Sequence, residues 1–170
     1  MNTKKMLLTS LFLSIGLLIN QIMPPLFLGI KPDTTLIFLF IILIINKDYK
    51  SAFLAGIISG IFAALTTTFP LGQIPNIIDK FLTANIMFLF IYILKNKINK
   101  FTCFLLTTTL GTLISGSIFL ISGMFLAGFN IPFFITFFSI IVPSSIANTI
   151  LGILLYRVLK LSLKKSNIII

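Results

Sequence analysis

Apolar residues in this chain form long, nearly unbroken runs, not the two-residue alternation of a half-buried strand or the narrow stripe of a surface helix. The first run extends from Met6 to Met23 and stops at Pro24-Pro25. After Lys31-Pro32-Asp33 comes a shorter one, Thr34 to Ile45, closed by the polar Asn46 to Lys50. A third runs from Ser51 to about Phe69, and a fourth ends at Leu94 before the basic loop Lys95 to Lys100. From Phe101 to Tyr156 the chain carries no charge, which suits two helices divided near Gly128-Phe129-Asn130-Ile131-Pro132. A bilayer core about 30 Å thick takes about 20 apolar residues of helix. The pattern therefore predicts one all-α integral membrane domain over residues 1–170. Its six transmembrane helices fall at about 6–23, 33–46, 51–69, 77–94, 101–125 and 132–157. The second span is short for a full crossing on its own. Lys4 and Lys5 before the first run give it the look of a signal peptide, but no small-x-small site follows, so it reads as a retained helix.

Composition strengthens the membrane reading. The 170 residues are 58% hydrophobic and only 9% charged, against about 25% charged in soluble domains. The net charge of +10 is not laid out as a basic stripe interleaved with aromatics, so nucleic acid is an unsuitable partner; the lysines cluster between apolar runs, where lipid headgroups lie. With the N-terminus inside, the inner segments hold Lys4, Lys5, Lys47, Lys50, Lys95, Lys97, Lys100, Arg157, Lys160, Lys164 and Lys165, against Lys31 and Lys80 outside. Cytoplasmic loops carry such an excess, so both termini are expected in the cytoplasm of a cell with this chain in its plasma membrane.

The polar chemistry is sparse. There is no His and no Glu, and Asp33, Asp48 and Asp79 are the only acidic side chains. No nucleophile–base couple, metal cluster, cofactor motif or G-x-x-x-x-G-K-[ST] phosphate loop is present, so neither catalysis nor ATP hydrolysis is expected of this chain. Cys103, alone in an apolar run, reads as packing material. Small residues along the third run, Ala52, Ala55, Gly56, Ser59 and Gly60 among them, read as a surface for close helix approach.

What remains is a candidate binding site in the two outer loops, 26–33 and 66–80. Each carries a lysine with a carboxylate, Lys31 with Asp33 and Asp79 with Lys80. A zwitterionic amino acid needs a carboxylate for its ammonium and a cation for its carboxylate. Asp33 and Asp79 are candidates for the first role, Lys31 and Lys80 for the second. Gln73, Asn76 and the hydroxyls of Thr66, Thr67 and Thr68 are candidates for orienting it. The 19 phenylalanines offer apolar wall, and Asn148 inside the last run either bonds across helices or lines a cavity. The competing reading makes the Lys-Asp pairs interfacial anchors. All ionisable groups other than Cys103 and the tyrosines are expected at span ends, which disfavours proton-driven transport.

Three stretches carry a resemblance. Pro24 to Asp33, Ala64 to Lys80 (ALTTTFPLGQIPNIIDK) and Pro143 to Thr149 resemble the corresponding segments of bacterial TrpP-like tryptophan transporters, and the similarity covers nearly the whole chain. The resemblance implies the substrate-binding S component of an energy-coupling factor (ECF) importer: a six-helix bundle that binds tryptophan or a related aromatic amino acid from outside. A separate transmembrane coupling subunit and two ATPases would supply the work. S components dock through small residues four apart on the first helix; here Ser10 and Ser14 stand in those places, with Gly16 close by. The alternatives are a stand-alone ion-coupled carrier and a structural membrane protein similar to the MreD family.

Overall fold

The computed structural model describes residues 3–25 and 30–165. Its elements in order are α1 (Thr3–Ile22), α2 (Thr34–Asn46), α3 (Tyr49–Thr66), α4 (Gln73–Leu94), α5 (Lys100–Leu126), α6 (Phe133–Thr136) and α7 (Val142–Lys165). A π-helical turn, Phe137–Ile141, joins α6 to α7 in one continuous rod. Among the described residues, five segments are long and apolar enough to cross a membrane: Lys5–Ile22, Tyr49–Thr66, Gln73–Leu94, Lys100–Leu126 and Phe133–Ser162. The expected helical membrane bundle is therefore present, with α2 the one element that falls short of spanning length.

That short helix is the centre of the bundle. Its sequence TTLIFLFIILIIN is apolar on every side, the signature of a helix with no solvent face. Every residue from Thr34 to Asn46 except Ile45 is buried, and α2 touches α1, α3, α4, α5 and α7. Asp33 caps its start, the side chain accepting from the Leu36 N–H at 2.9 Å. At its end Lys47 takes a left-handed conformation (φ 49°) and donates its N–H to Leu43 O. The other helices run antiparallel to their chain neighbours around it. Phe38 sits on Gly16 of α1, and a side chain at Gly111 of α5 would overlap the Phe40 ring.

Helices α3 and α4 make the broadest contact, through the small residues expected to serve it. A Cβ at Gly60 would stand 3.0 Å from Ile77 Cα, and one at Gly56 would stand 2.8 Å from Ala84 Cβ. Cys103 is buried in the core beside Phe104 and Tyr156. At the end of the bundle carrying Lys5, Lys47 and Lys50, the Asn46 amide donates to Thr9 Oγ1 and Ser51 Oγ, tying α2 to α1 and α3.

The length of α2 fixes where space is left. Thirteen residues make a helix of about 20 Å, roughly two-thirds of a bilayer core. Its foot is level with Lys5, whose ammonium donates to Asn46 O at 2.9 Å. Its head is held by Thr34 Oγ1 donating to Gly16 O at 2.8 Å, six residues before the end of α1. The start of α2 is thus recessed by about 9 Å from the end of its neighbour. Because the Phe40 ring fills the site of the absent Gly111 side chain, Gly111→Val should cost about 1–3 kcal/mol by overpacking. It should appear as a lower melting temperature of the detergent-solubilised protein, while Ser14→Val on the exposed face of α1 should change stability by less than about 0.5 kcal/mol.

Candidate functional site

Above the recessed head of α2 lies a cavity of about 360 Å³, within the range of small-molecule sites. It takes residues from α1, α2, α3, α4, α5, α6, the π turn and α7, together with the segments before α2 and after α3. Its lining has two characters. Asp33, Asp79, Lys80, Thr112, Ser115 and Asn148 supply the polar part; Leu36, Ala63, Phe69, Phe119, Leu120, Ile140 and Ile141 supply the apolar part.

The polar part is organised by one ammonium. Lys80 Nζ lies 2.8 Å from Asp33 Oδ2, 2.9 Å from Asp79 Oδ2 and 3.1 Å from Ser115 Oγ, which uses all three of its protons. Ser115 Oγ in turn donates to Asp79 Oδ2 at 2.9 Å, and Thr83 Oγ1 donates to Asp79 Oδ1 at 3.0 Å. Asp79 thus accepts from three donors, two on Oδ2 and one on Oδ1. The Lys80 and Asp79 side chains are 5% and 1% exposed, whereas that of Asp33 is 31% exposed. Of the three charges, only Asp33 is open to a molecule in the cavity. Asn148 completes the cluster: its Oδ1 accepts the Asp33 N–H at 2.8 Å and its Nδ2 donates to Thr112 Oγ1 at 3.2 Å.

This arrangement revises several expectations. Asp33 pairs across the bundle with Lys80, not with its neighbour Lys31, which lies exposed at the cavity lining. Asp79 and Lys80 are the seventh and eighth residues of α4, buried two turns inside it, not groups at a span end. The fourth helix starts at Gln73, four residues before the expected 77, and takes in Pro75. Pro75 is in the first turn of α4, where its missing N–H has no helical partner to lose. Segment 66–80 is thus mostly helix, with only 67–72 between α3 and α4.

Of the candidate binding residues, Lys31, Asp33, Thr66, Thr67, Thr68, Asn76, Asp79, Lys80 and Asn148 line the cavity. Gln73, at the exposed start of α4, lies outside that lining. Asn76 Nδ2 donates to Gly72 O, and Thr67 Oγ1 accepts from Phe69 N in the connecting turn. Ser10 and Ser14 are exposed on α1, in a row with Leu7, Leu11 and Leu18. Gly16 belongs to the opposite, buried side, against Phe38.

Sequence reasoning missed Thr112 and Ser115. The signal was there: Thr108, Thr112 and Ser115 recur at helical spacing in an uncharged apolar run, putting three hydroxyls on one face. It also missed the π turn, which precedes Pro143. A proline removes a backbone donor and crowds the carbonyl four residues back, and the wider turn accommodates it. The turn brings Ile140 and Ile141 to the cavity, Ile141 against Gly116. Phe69, Phe119 and Phe129 form a further cluster, with ring centroids 4.4 to 5.8 Å apart, from the α3–α4 connection, α5 and the α5–α6 connection.

Comparison with known proteins places this architecture. Residues 2–164 match the family model described as tryptophan transporter TrpP. The chain is 42% identical over 164 residues to a probable tryptophan transport protein of Clostridium acetobutylicum, covering 96% of each chain. It is 39% identical to a protein of the same description from Clostridium perfringens, covering 99% of this chain and 97% of the relative. A third, from Bacillus subtilis, is 36% identical over 98% of this chain and 96% of its own length. No solved structure matches the chain. These relatives are transporters and not enzymes, and the match leaves the resemblance to cell-shape proteins without support. With the polytopic helical bundle and a match that runs nearly end to end, the chain belongs to the TrpP family of tryptophan transporters.

Proposed function

We propose that this chain captures tryptophan, or a related aromatic amino acid, in the cavity above α2 and carries it across the plasma membrane of a bacterial cell. The observation that carries the reading is the Asp33–Lys80–Asp79 cluster, ionisable groups held inside a membrane bundle beside an aromatic-walled cavity. Such groups are costly in a bilayer and mark substrate and ion pathways. Asp33 is the group to receive the ligand ammonium, Asn148, Asn76 and Thr67 orient it, and Phe69 and Phe119 receive the ring.

The whole chain acts as one transmembrane domain in which α2 completes six passes, with both termini cytoplasmic. Lys5, Lys47, Lys50, Lys95, Lys97 and Lys100 all lie at the end of the bundle away from the cavity, which supports a cavity facing outside. Tyr49 and Tyr92 are exposed at that same basic end, Tyr92 with the Lys95 ammonium 3.8 Å from its ring centre, as suits an interface with lipid headgroups. In this reading the protein is an S component that relies on a separate coupling subunit and ATPases. The exposed α1 face around Ser10 and Ser14 is the surface for that coupling subunit. One observation favours a second reading, a gradient-driven carrier: Asp79 and Lys80 are buried within α4, where coupling groups of ion-driven carriers are found.

The purified chain, without any ATPase, should bind tryptophan saturably. Because it contains no tryptophan, fluorescence of the bound ligand reads this out directly; a folded protein that shows no saturable signal removes the proposal. Asp33→Asn should weaken binding by about 1–3 kcal/mol, the value of a hydrogen bond to a charged group. Lys80→Met leaves two carboxylates facing each other in the interior and should cost about 3–5 kcal/mol of stability by thermal unfolding, part of it recovered when Asp79→Asn is added. Vesicles containing this chain alone decide between the energy sources. Uptake under an imposed ion gradient favours the carrier, and uptake only with ATP and added partner subunits favours the S component.

A further inference from the structure

Resting on the tryptophan-capture reading, we propose that Asp33 occupies the place of the ligand carboxylate on Lys80, so that binding exchanges one internal ion pair for two. The ligand carboxylate takes the Lys80 proton that Asp33 now accepts, and Asp33 turns to the ligand ammonium.

The exchange follows from saturation. Lys80 has three protons and three acceptors, so an incoming carboxylate gains it only by displacing one. Ser115 and Asp79 are bound to each other and buried, and Asp79 holds Thr83 besides. Asp33 is the exception. It is the exposed partner, and its Oδ1 stays anchored by capping Leu36 while Oδ2 alone meets Lys80. Rotation about the capping bond releases Lys80 without uncapping α2. The other cation, Lys31, is exposed, where water screens its attraction; Lys80 is desolvated, and a carboxylate gains more from it.

Charge conservation then selects the ligand. The cavity holds Lys31 and Lys80 against Asp33 and Asp79, a neutral set. A zwitterion replaces the Lys80–Asp33 pair with two new pairs and leaves no buried charge bare. An amine without a carboxylate can at most share Asp33, and a carboxylate without an amine must expel Asp33 into the cavity unpaired. Asp33 is thereby a specificity-determining residue: its competition for Lys80 is what excludes simple indole acids.

The test is equilibrium competition against tryptophan on the full chain in detergent, with tryptamine and indole-3-propionate as probes. In the native protein both should bind at least about 30-fold more weakly than tryptophan, the loss of one buried charge pair. In Asp33→Asn, tryptophan should weaken while indole-3-propionate tightens at least about 10-fold, since a neutral amide competes poorly for Lys80. Asn is as good a helix cap as Asp, so the variant keeps its fold. Lys31→Gln removes the exposed cation of the same lining and should weaken tryptophan less than Asp33→Asn does, because water screens the Lys31 charge. The exchange is overturned by any of three results: unchanged or weaker indole-3-propionate binding in Asp33→Asn, tryptamine binding as tightly as tryptophan in the native chain, or a larger loss of tryptophan binding in Lys31→Gln than in Asp33→Asn. Each of these is read with tryptophan bound by the native protein, so the capture reading survives them. Absence of tryptophan binding to the folded native chain overturns both.

Discussion

A single ammonium inside an apolar bundle constrains much of what surrounds it. An unpaired charge in such an interior is prohibitively costly, so Lys80 must be met by opposite charge and by enough acceptors to use its protons. The carboxylate beside it in the chain supplies one partner, and the others come from elsewhere: Asp33 at the head of α2 and Ser115 in α5. Asn148 of α7 then holds the Asp33 backbone, so one charge draws four helices to a common point. Ion pairs of this kind contribute less to net stability than their geometry suggests, because desolvation offsets much of the attraction. Their stronger effect is on arrangement, since the partners come from different helices and a shift of any one leaves a charge or donor unmet.

The second constraint is a helix too short for its surroundings. An all-apolar segment of spanning length has every reason to sit in lipid, but α2 is buried among five other helical elements and stops short at one end. Glycines on its neighbours make that burial possible, Gly16 admitting Phe38 and Gly111 admitting Phe40. The recess above α2 is where the cavity forms, so the space for a ligand and the charges that line it share one structural cause. The same helix that brings Asp33 to Lys80 leaves room above them.

In a TrpP-family transporter this joins recognition to the membrane problem itself. A free amino acid carries two opposite charges that must leave water together. A cavity with matched charges of both signs receives such a molecule without net transfer of charge into the bilayer interior. The apolar half of the lining, with Phe69 and Phe119 from separate elements, has the character that the proposed aromatic ligand requires.

Much of this was legible in the chain as written. Runs of apolar residues lie within a few positions of most helix ends, because lipid demands length and hydrophobicity and little else, whereas α7 continues to Lys165, past the expected end at 157. The small residues of α3, the break at Gly128 to Pro132 and the burial of Cys103 were all readable for the same reason. All the candidate binding residues except Gln73 line one cavity, since polar side chains in so apolar a chain have few places to be satisfied. Pairing was not legible. Sequence proximity suggested Lys31 with Asp33, whereas folding set Asp33 on Lys80, 47 positions away, because a desolvated lysine attracts more strongly than a hydrated one. The start of α4, the π turn before Pro143 and the roles of Thr112 and Ser115 were decided in the same way. Each depends on which face of one helix meets another, and that is set by packing in three dimensions, where a uniformly apolar sequence carries almost no pattern to read.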